Sequence, residues 1–158
     1  MDQPSLGRQG STIPVSTHQI ESTVLPIPVE KAWSFFKTMK LEKIVPGHVK
    51  ATSFTTGGPN QLDSIIHIEY SDGAKWDLRI NEISDVRYQL GYQVISTEPA
   101  HQVTSIVGTI HLRSVTSDNS TYIEWVTDYS NDADAIVISD QRYKKQEFFA
   151  EMKKNLSK

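Results

Sequence analysis

The segment that most constrains the fold is the last one, from about Asp134 to Leu156, because it carries the only long helical pattern in the chain. Its apolar residues predict one inner face, formed by Ile138, Phe148, Phe149, Met152 and Leu156, with Tyr143 and Lys145 near the edges of that face. Strand-like sequence fills most of the chain before it. Neither a single amphipathic helix nor an antiparallel sheet can bury its apolar side alone, so we expect a sheet wrapped around this helix.

The 158-residue chain has the length and composition of one globular domain of ordinary size. Its net charge of −3 provides no basic field that would favour nucleic acid. It contains no cysteine, which excludes disulfides, thiolate metal sites and cysteine nucleophiles. No apolar run approaches the roughly 18 residues of a membrane span. We therefore expect no integral membrane association, while transient contact with a membrane surface stays open.

The first residues differ in composition from the rest of the chain. Residues 1–16 are rich in Ser, Gly, Gln and Pro and have little to bury, which predicts a disordered N-terminal tail. They lack the apolar segment of a secretory signal, so we expect a cytoplasmic protein. Residues 17–158 show neither an internal repeat nor a dividing linker, which predicts a single domain.

Alternating hydrophobicity, separated by turn residues, predicts seven antiparallel strands. The predicted strands are 18–25, 49–56, 63–70, 75–83, 88–96, 103–115 and 121–129. After the first strand, apolar residues at helical spacing predict a short helix over 29–39, and a second short helix over 41–45. The order of strand, two short helices, six strands and one long helix predicts an α+β architecture.

Four stretches of this sequence resemble the START/Bet v I-like (SRPBCC) superfamily, which includes polyketide cyclases, dehydrases and lipid-transport proteins. They are IESTVLPIPVEKAWSFF, GGPNQLDSIIHIEYSDG, ISDVRYQLGYQVISTEPA and TYIEWVTDYSND. The resemblance covers about residues 17–156. It implies the helix-grip fold, a bent seven-stranded sheet around the C-terminal helix with an apolar cavity between them. Members bind lipids, sterols, plant hormones or polyketides, and some are cyclases.

The alternation along the strands predicts which side chains face the helix. On the strands, the predicted cavity residues are Ile68, Tyr70, Trp76, Leu78, Ile80, Tyr88, Leu90, Tyr92 and Ile110. On the helix, they are Phe148, Phe149 and Met152. Tyrosines and tryptophans with polar tips suit an amphipathic pocket, although the same residues are also typical of a solid core.

The inner face of the last strand stays open at this stage. Ile123, Trp125, Thr127 and Tyr129 share one face, and the greater apolar content of that face favours it as the inner one. The resemblance favours the opposite face, because the hormone receptors of this group carry a cavity-lining glutamate in a context similar to that of Glu124.

Two further charged residues are candidates for the cavity. The resemblance to the hormone receptors implies that Lys50 meets a ligand carboxylate, provided that it shares the face of Thr52 and Phe54. Glu82 continues the stripe of Trp76, Leu78 and Ile80 and would be a cavity acid there, although a position at the sheet end in water is the more ordinary reading. Two loops would control access, Ser71–Ala74 and Glu98–His101. Neither carries the apolar residues of the receptors' gate and latch.

Other chemistry finds little support in the sequence. His67 and Glu69 share a strand face, but no third ligand follows at a metal-binding spacing, so we expect no metal. Nucleophile motifs, phosphate-binding glycine loops and dinucleotide fingerprints are missing, and we expect no cofactor.

Three functions remain open. The first is a soluble protein that binds a lipid, sterol or polyketide-like molecule. The second is a cyclase- or dehydratase-like enzyme that uses Lys50, Glu82, Glu124 and the tyrosines for proton transfer. The third is a protein-interaction module with a filled core.

Overall fold

A computed structural model of the chain describes residues 16–157. The predicted disordered tail falls almost wholly outside the described residues and stays a prediction. In the described part, no helix has both the length and the apolar character needed to cross a membrane.

The chain forms one seven-stranded antiparallel sheet and a long C-terminal helix. The strands are β1 (His18–Leu25), β2 (Val49–Thr56), β3 (Ile65–Tyr70), β4 (Lys75–Ser84), β5 (Gln89–Glu98), β6 (Ile106–Val115) and β7 (Ser120–Tyr129). Their order across the sheet is β1-β7-β6-β5-β4-β3-β2, so β1 and β2 lie at opposite edges. The segment between β1 and β2 therefore crosses the sheet, and it contains the short helix α1 (Val29–Lys37).

The second of the two predicted short helices is smaller than expected. It is a single 3-10 turn, Leu41–Lys43, of which only Leu41 is buried. Pro46 and Gly47 follow closely and end the helical segment before β2 begins. α1 itself buries the predicted apolar face, Val29, Ala32, Trp33 and Phe36.

The long helix α2 (Ala135–Leu156) begins where the sequence indicated. Asp134 is its N-cap residue, and the Asp134 carboxylate accepts a hydrogen bond of 2.8 Å from the backbone N–H of Ile136. The buried side chains of α2 are Ile138, Gln141, Lys145, Phe148, Phe149 and Met152. Two of these six side chains, Gln141 and Lys145, are polar. The sequence-based prediction put Lys145 near the edge of the inner face and did not consider Gln141.

Three strands begin later than predicted, because the residues before them adopt turn or loop conformations. Asp63 and Tyr88 have left-handed backbone conformations, with φ of 62° and 55°, and neither belongs to a strand. Residues 103–105 leave the predicted sixth strand because the backbone N–H of Thr104 donates to Asp132 Oδ2 at 3.1 Å. The remaining strand pairings follow the antiparallel meander.

Candidate functional site

A cavity of about 380 Å³ lies between the sheet and α2. This volume is within the range of pockets that hold small organic molecules. β3 to β7 contribute residues from one face of the sheet, since alternate side chains of a strand point to the same face. These strand residues are Ile68, Tyr70, Trp76, Leu78, Tyr92, Ile106, Ile110, Trp125, Thr127 and Tyr129.

The helices and loops complete the lining. α2 presents Gln141, Lys144, Lys145, Glu147 and Phe148, which share one side of the helix at spacings of three and four residues. The segment that crosses the sheet and the turn between β3 and β4 supply the rest. Those residues are Phe36, Met39, Leu41, Gly47, His48, Ser71, Asp72 and Ala74.

Exposed members of the lining mark the place where the cavity reaches solvent. They are Gly47, Ser71 and Asp72, and we call this group, together with the half-buried His48, Lys144 and Glu147, the rim. The Lys144 ammonium lies 3.8 Å from Asp72 Oδ2, and His48 Nε2 lies 3.9 Å from Glu147 Oε1. Both pairs join α2 to a loop across the opening.

Glu151 fastens the loop before β2 to the same helix. Its carboxylate accepts a hydrogen bond of 2.7 Å from the backbone N–H of Gly47 and contacts His48 Nδ1 at 2.5 Å. Burial opposes ionisation of this carboxyl group, but the hydrogen bonds from His48 and Gly47 outweigh it and hold the pKa of Glu151 below its ordinary value. One side of the opening is therefore anchored by an ionised carboxylate.

The cavity wall beside β5 to β7 is aromatic and carries polar tips. The indole Nε1–H of Trp125 donates to the Tyr92 hydroxyl at 2.8 Å. Burial raises the pKa of Tyr92 to about 12, so its hydroxyl stays neutral at ordinary pH. The Trp125 ring also packs edge-to-face against Phe148, with ring centroids 5.4 Å apart. Thr127, which follows on the same face, has a buried hydroxyl close to that of Tyr92.

A glycine on the neighbouring strand leaves the space that the Tyr92 ring occupies. Gly108 pairs with Tyr92 across β5 and β6. A Cβ atom at Gly108 would lie 2.3 Å from the Tyr92 ring, so only glycine leaves room for the ring in this position.

Lys145 is the one buried charged side chain among residues 16–157, with 5% of its surface exposed. Its ammonium donates to Gln19 Oε1 at 3.3 Å and lies 5.3 Å from the centroid of the Trp125 ring. Gln19 Oε1 also accepts from the Tyr129 hydroxyl at 3.2 Å, and Gln19 Nε2 donates to the carbonyl of Ile138 at 3.1 Å. Burial lowers the pKa of Lys145 to about 8, and the carboxylate of Glu21 opposes this effect only in part.

The structure brings half of the sequence-predicted site residues to the cavity. These are Ile68, Tyr70, Trp76, Leu78, Tyr92, Ile110 and Phe148. Four others are buried in the surrounding core instead, Ile80, Leu90, Phe149 and Met152. Tyr88 is half-buried and packs edge-to-face against Trp33 of α1, with centroids 6.1 Å apart.

Lys50 and Glu82 lie outside the lining, and both are exposed. The register of β2 against β3 shifts between Val49 and Ala51, and that of β4 against β5 shifts between Ile80 and Glu82. Such a β-bulge inserts one residue and reverses the alternation beyond it. Lys50 therefore does not share the face of Thr52 and Phe54, and Glu82 leaves the face of Ile80.

The structure decides the open question of the last strand. Trp125, Thr127 and Tyr129 line the cavity, whereas Glu124 lies on the opposite face. Glu124 is half-buried there, and its Oε1 lies 3.5 Å from the Tyr122 hydroxyl. Of the two access loops, Ser71–Ala74 contributes three residues to the lining, and Glu98–His101 contributes none.

Sequence reasoning missed Gln141, a polar residue of the lining, and Gln19, which holds Lys145; it placed Lys145 only at the edge of the inner helix face. Helical spacing could have found two of them. Gln141 and Lys145 follow Ile138 by three and seven residues and precede Phe148 by seven and three, so they continue its stripe. Among the described residues, no cluster of three or more His, Asp or Glu side chains could hold a metal ion.

No protein-family model and no curated protein matches this sequence. Solved structures do match it. A protein from Nitrosospira multiformis aligns with a TM-score of 0.74 at 18% identity, over 88% of this chain and 95% of that one. Ginseng major latex-like protein 151 from Panax ginseng aligns with a TM-score of 0.72 at 16% identity, over 89% and 94%. Ara h 8.0201 aligns with a TM-score of 0.68 at 15% identity, over 88% and 96%.

The chain shares its fold with these solved structures, and its seven-stranded sheet around a long C-terminal helix is the helix grip that the sequence motifs implied. At these identities the likeness extends to the fold, and function has to be argued from the site itself.

Proposed function

We propose that this protein binds an apolar or amphipathic small molecule in the cavity between the sheet and α2. The observation that carries the proposal is the cavity itself, about 380 Å³ of space within the core. A close-packed interior leaves few voids larger than a water molecule, so space of this size in the core favours a binding site. The same space speaks against an interaction module with a filled core.

The lining fits a ligand that is mostly apolar. Ile68, Leu78, Ile110 and Phe148 are each at least nine-tenths buried and would remove apolar ligand surface from water. The aromatic side chains Trp76, Tyr92 and Trp125 add flat surfaces with polar tips, which orient a ligand as well as covering it. The rim provides the route by which a molecule enters.

Most of the residues named for the enzyme alternative lie outside the cavity. Lys50, Glu82 and Glu124 were its acids and bases, and none of the three lines the cavity. Of the residues named for proton transfer only the tyrosines remain, and burial raises the pKa values of Tyr70, Tyr92 and Tyr129. Phenols of raised pKa hold their protons at neutral pH and are poor general bases.

The test is a binding measurement on the purified protein. Native mass spectrometry reports any molecule that copurifies, and a titration with the neutral dye Nile red, followed by displacement with fatty acids and sterols, reports saturable binding. We expect one site per chain. Absence of saturable binding to the whole panel, together with a chain that carries nothing after purification, would contradict the proposal.

A pair of matched variants locates the site. Ile110→Phe adds bulk to a lining residue and should weaken dye binding by about tenfold or more, because it occupies the space of the ligand. Ile95→Phe makes the same replacement at a position on β5 that is 40% exposed and outside the lining. Its affinity should equal that of the unmodified protein.

A further inference from the structure

Within the described part of the chain, Lys145 lies without a charged partner at ion-pair distance. Among residues 16–157, no carboxylate oxygen lies within 4 Å of its ammonium. Glu21 is the acid that acts on it electrostatically, but the Glu21 carboxylate pairs with Arg142 Nε at 3.2 Å and accepts from Gln146 Nε2 at 3.1 Å. The neighbouring Lys144 differs, because its ammonium lies 3.1 Å from Asp140 Oδ2 and also faces Asp72.

An ammonium group in such a place is costly to the folded protein. Removing a charge from water disfavours folding unless an opposite charge and hydrogen bonds replace the water. Lys145 has three N–H donors, and one is used by Gln19. The indole face of Trp125 stabilises the charge only in part. As far as residues 16–157 are concerned, donor capacity thus remains unused at the boundary of the cavity.

Other polar groups lie on the same side of the cavity. The Tyr129 hydroxyl and the Lys145 ammonium both donate to Gln19 Oε1, and Gln19 Nε2 donates to the carbonyl of Ile138. This chain of hydrogen bonds fixes the position of the ammonium. Thr127, on the same face of β7 as Tyr129, provides a further buried hydroxyl, close to that of Tyr92. We call the lining residues Lys145, Thr127 and Tyr129, together with Gln19, to which Lys145 and Tyr129 donate, the polar end of the cavity.

We propose that the polar end of the cavity binds the carboxylate of an amphipathic acid, with Lys145 as its counter-ion and the apolar body of the ligand against the aromatic and aliphatic lining. This inference rests on the proposed function and narrows its ligand to an organic acid. A carboxylate would supply the missing opposite charge and accept the unused N–H donors of Lys145.

The ionisation of Lys145 agrees with this role. Burial lowers its pKa to about 8, which leaves the ammonium mostly charged at neutral pH. A bound carboxylate would favour the charged form further.

The experiment compares two ligands of one chain length, decanoate and decanol, in displacement of Nile red at pH 7. The unmodified protein should bind decanoate about tenfold to a hundredfold more tightly than decanol, which lacks the charge. This is the range expected for hydrogen bonds to a charged group. Lys145→Met removes the ammonium and keeps an unbranched apolar side chain. It should abolish this preference and leave decanol binding intact.

A matched control corrects for net charge. Lys154→Met removes one positive charge from an exposed position of the same helix, outside the lining, and should keep the preference for decanoate. A second measurement needs no variant. Decanoic acid labelled with carbon-13 at its carboxyl group should titrate, when bound, at a lower pH than the free acid, because the ammonium favours the carboxylate form.

The outcomes separate the two proposals. Equal affinities for acid and alcohol, unchanged by Lys145→Met, would overturn the acid-binding inference and leave the cavity as a binding site. A bound carboxyl group that titrates at or above the pH of the free acid would overturn it too. Failure of both ligands to displace the dye, with no saturable dye binding in the unmodified protein, would overturn both.

Discussion

The middle of α2 and its C-terminal end lie over different interiors. Beneath the C-terminal end the core is filled: Met152 is fully buried in one cluster with Leu25, Ile44 and Ile123, and Asn155 Nδ2 donates to the Ile44 carbonyl at 2.8 Å. Beneath the middle, from Gln141 to Phe148, lies the cavity. The same helix therefore stabilises the fold with its C-terminal end and shapes the site with its middle.

This contrast has an energetic meaning. A side chain in the filled part of the core has neighbours on every side, whereas one at the cavity has neighbours on part of its surface. Substitutions in the filled part should therefore act on stability, and substitutions at the cavity should act on ligand affinity with less effect on folding.

The largest effect is expected from a matched pair on β3. Ile66 and Ile68 are both 99% buried, but only Ile68 lines the cavity. Ile66→Ala should lower the free energy of unfolding by about 4 kcal/mol, and Ile68→Ala by about 2 kcal/mol, because the second residue loses fewer contacts. Urea unfolding of both variants measures the difference. Equal losses would show that the cavity is closed by packing in solution.

The second effect is a dependence of stability on pH that arises from Lys145. Its folded-state pKa of about 8 lies below the ordinary value of 10.5, so the cost of burying the charge is fully present below about pH 8. As the pH rises from there, the folded chain loses its proton before the unfolded chain does, and the folded state gains stability. By pH 10 the unmodified protein should gain about 2 kcal/mol relative to Lys145→Met, at 1.36 kcal/mol for each pH unit.

Denaturant unfolding of the two proteins between pH 7 and pH 10 provides the measurement, as a difference between them. The other titratable groups at the cavity are present in both proteins and cancel. They are Glu21, His48, Tyr70, Asp72, Tyr92, Tyr129, Asp140, Lys144 and Glu147. A constant difference across this range would mean that Lys145 has an ordinary pKa and is in contact with water.

The third effect concerns Gly108, which lies in the strand beside the cavity. Gly108→Ala should displace the Tyr92 ring, break the hydrogen bond from Trp125, and destabilise the protein by about 1 to 3 kcal/mol. Combining it with Tyr92→Leu should remove most of the added cost, since the conflict is with the ring. Gly58→Ala is the control, because a Cβ atom there meets nothing closer than 4.0 Å. If the losses of stability of the two single variants add fully in the double variant, the strain does not arise from the Tyr92 ring.

The smallest effect is expected at the charged residues that the sequence favoured. Lys50→Met and Glu124→Gln alter side chains outside the lining, so ligand affinity should change by less than about twofold and stability by less than about 0.5 kcal/mol. Dye titration beside Lys145→Met checks this. A loss of affinity in either variant would show that the hormone-receptor arrangement applies to this protein after all.

The sequence predicted the fold better than the site. The strands and α2 follow from alternation and helical spacing, which are local properties, and β1 and β2 begin and end where predicted. The two β-bulges that turn Lys50 and Glu82 outward leave no local mark in the sequence. Their effect is large, because one inserted residue reverses every side chain beyond it.

Sequence alone determined the order of the elements, the antiparallel meander and the apolar stripe of the terminal helix, because each depends on residues close together in the chain. Only the tertiary structure decided that Trp125 faces inward and Glu124 does not, and that α2 covers a cavity along its middle. It also joined Lys145 to Gln19, which lies 126 residues away. Such contacts depend on strand register and on packing between distant segments, and in this molecule they form the site.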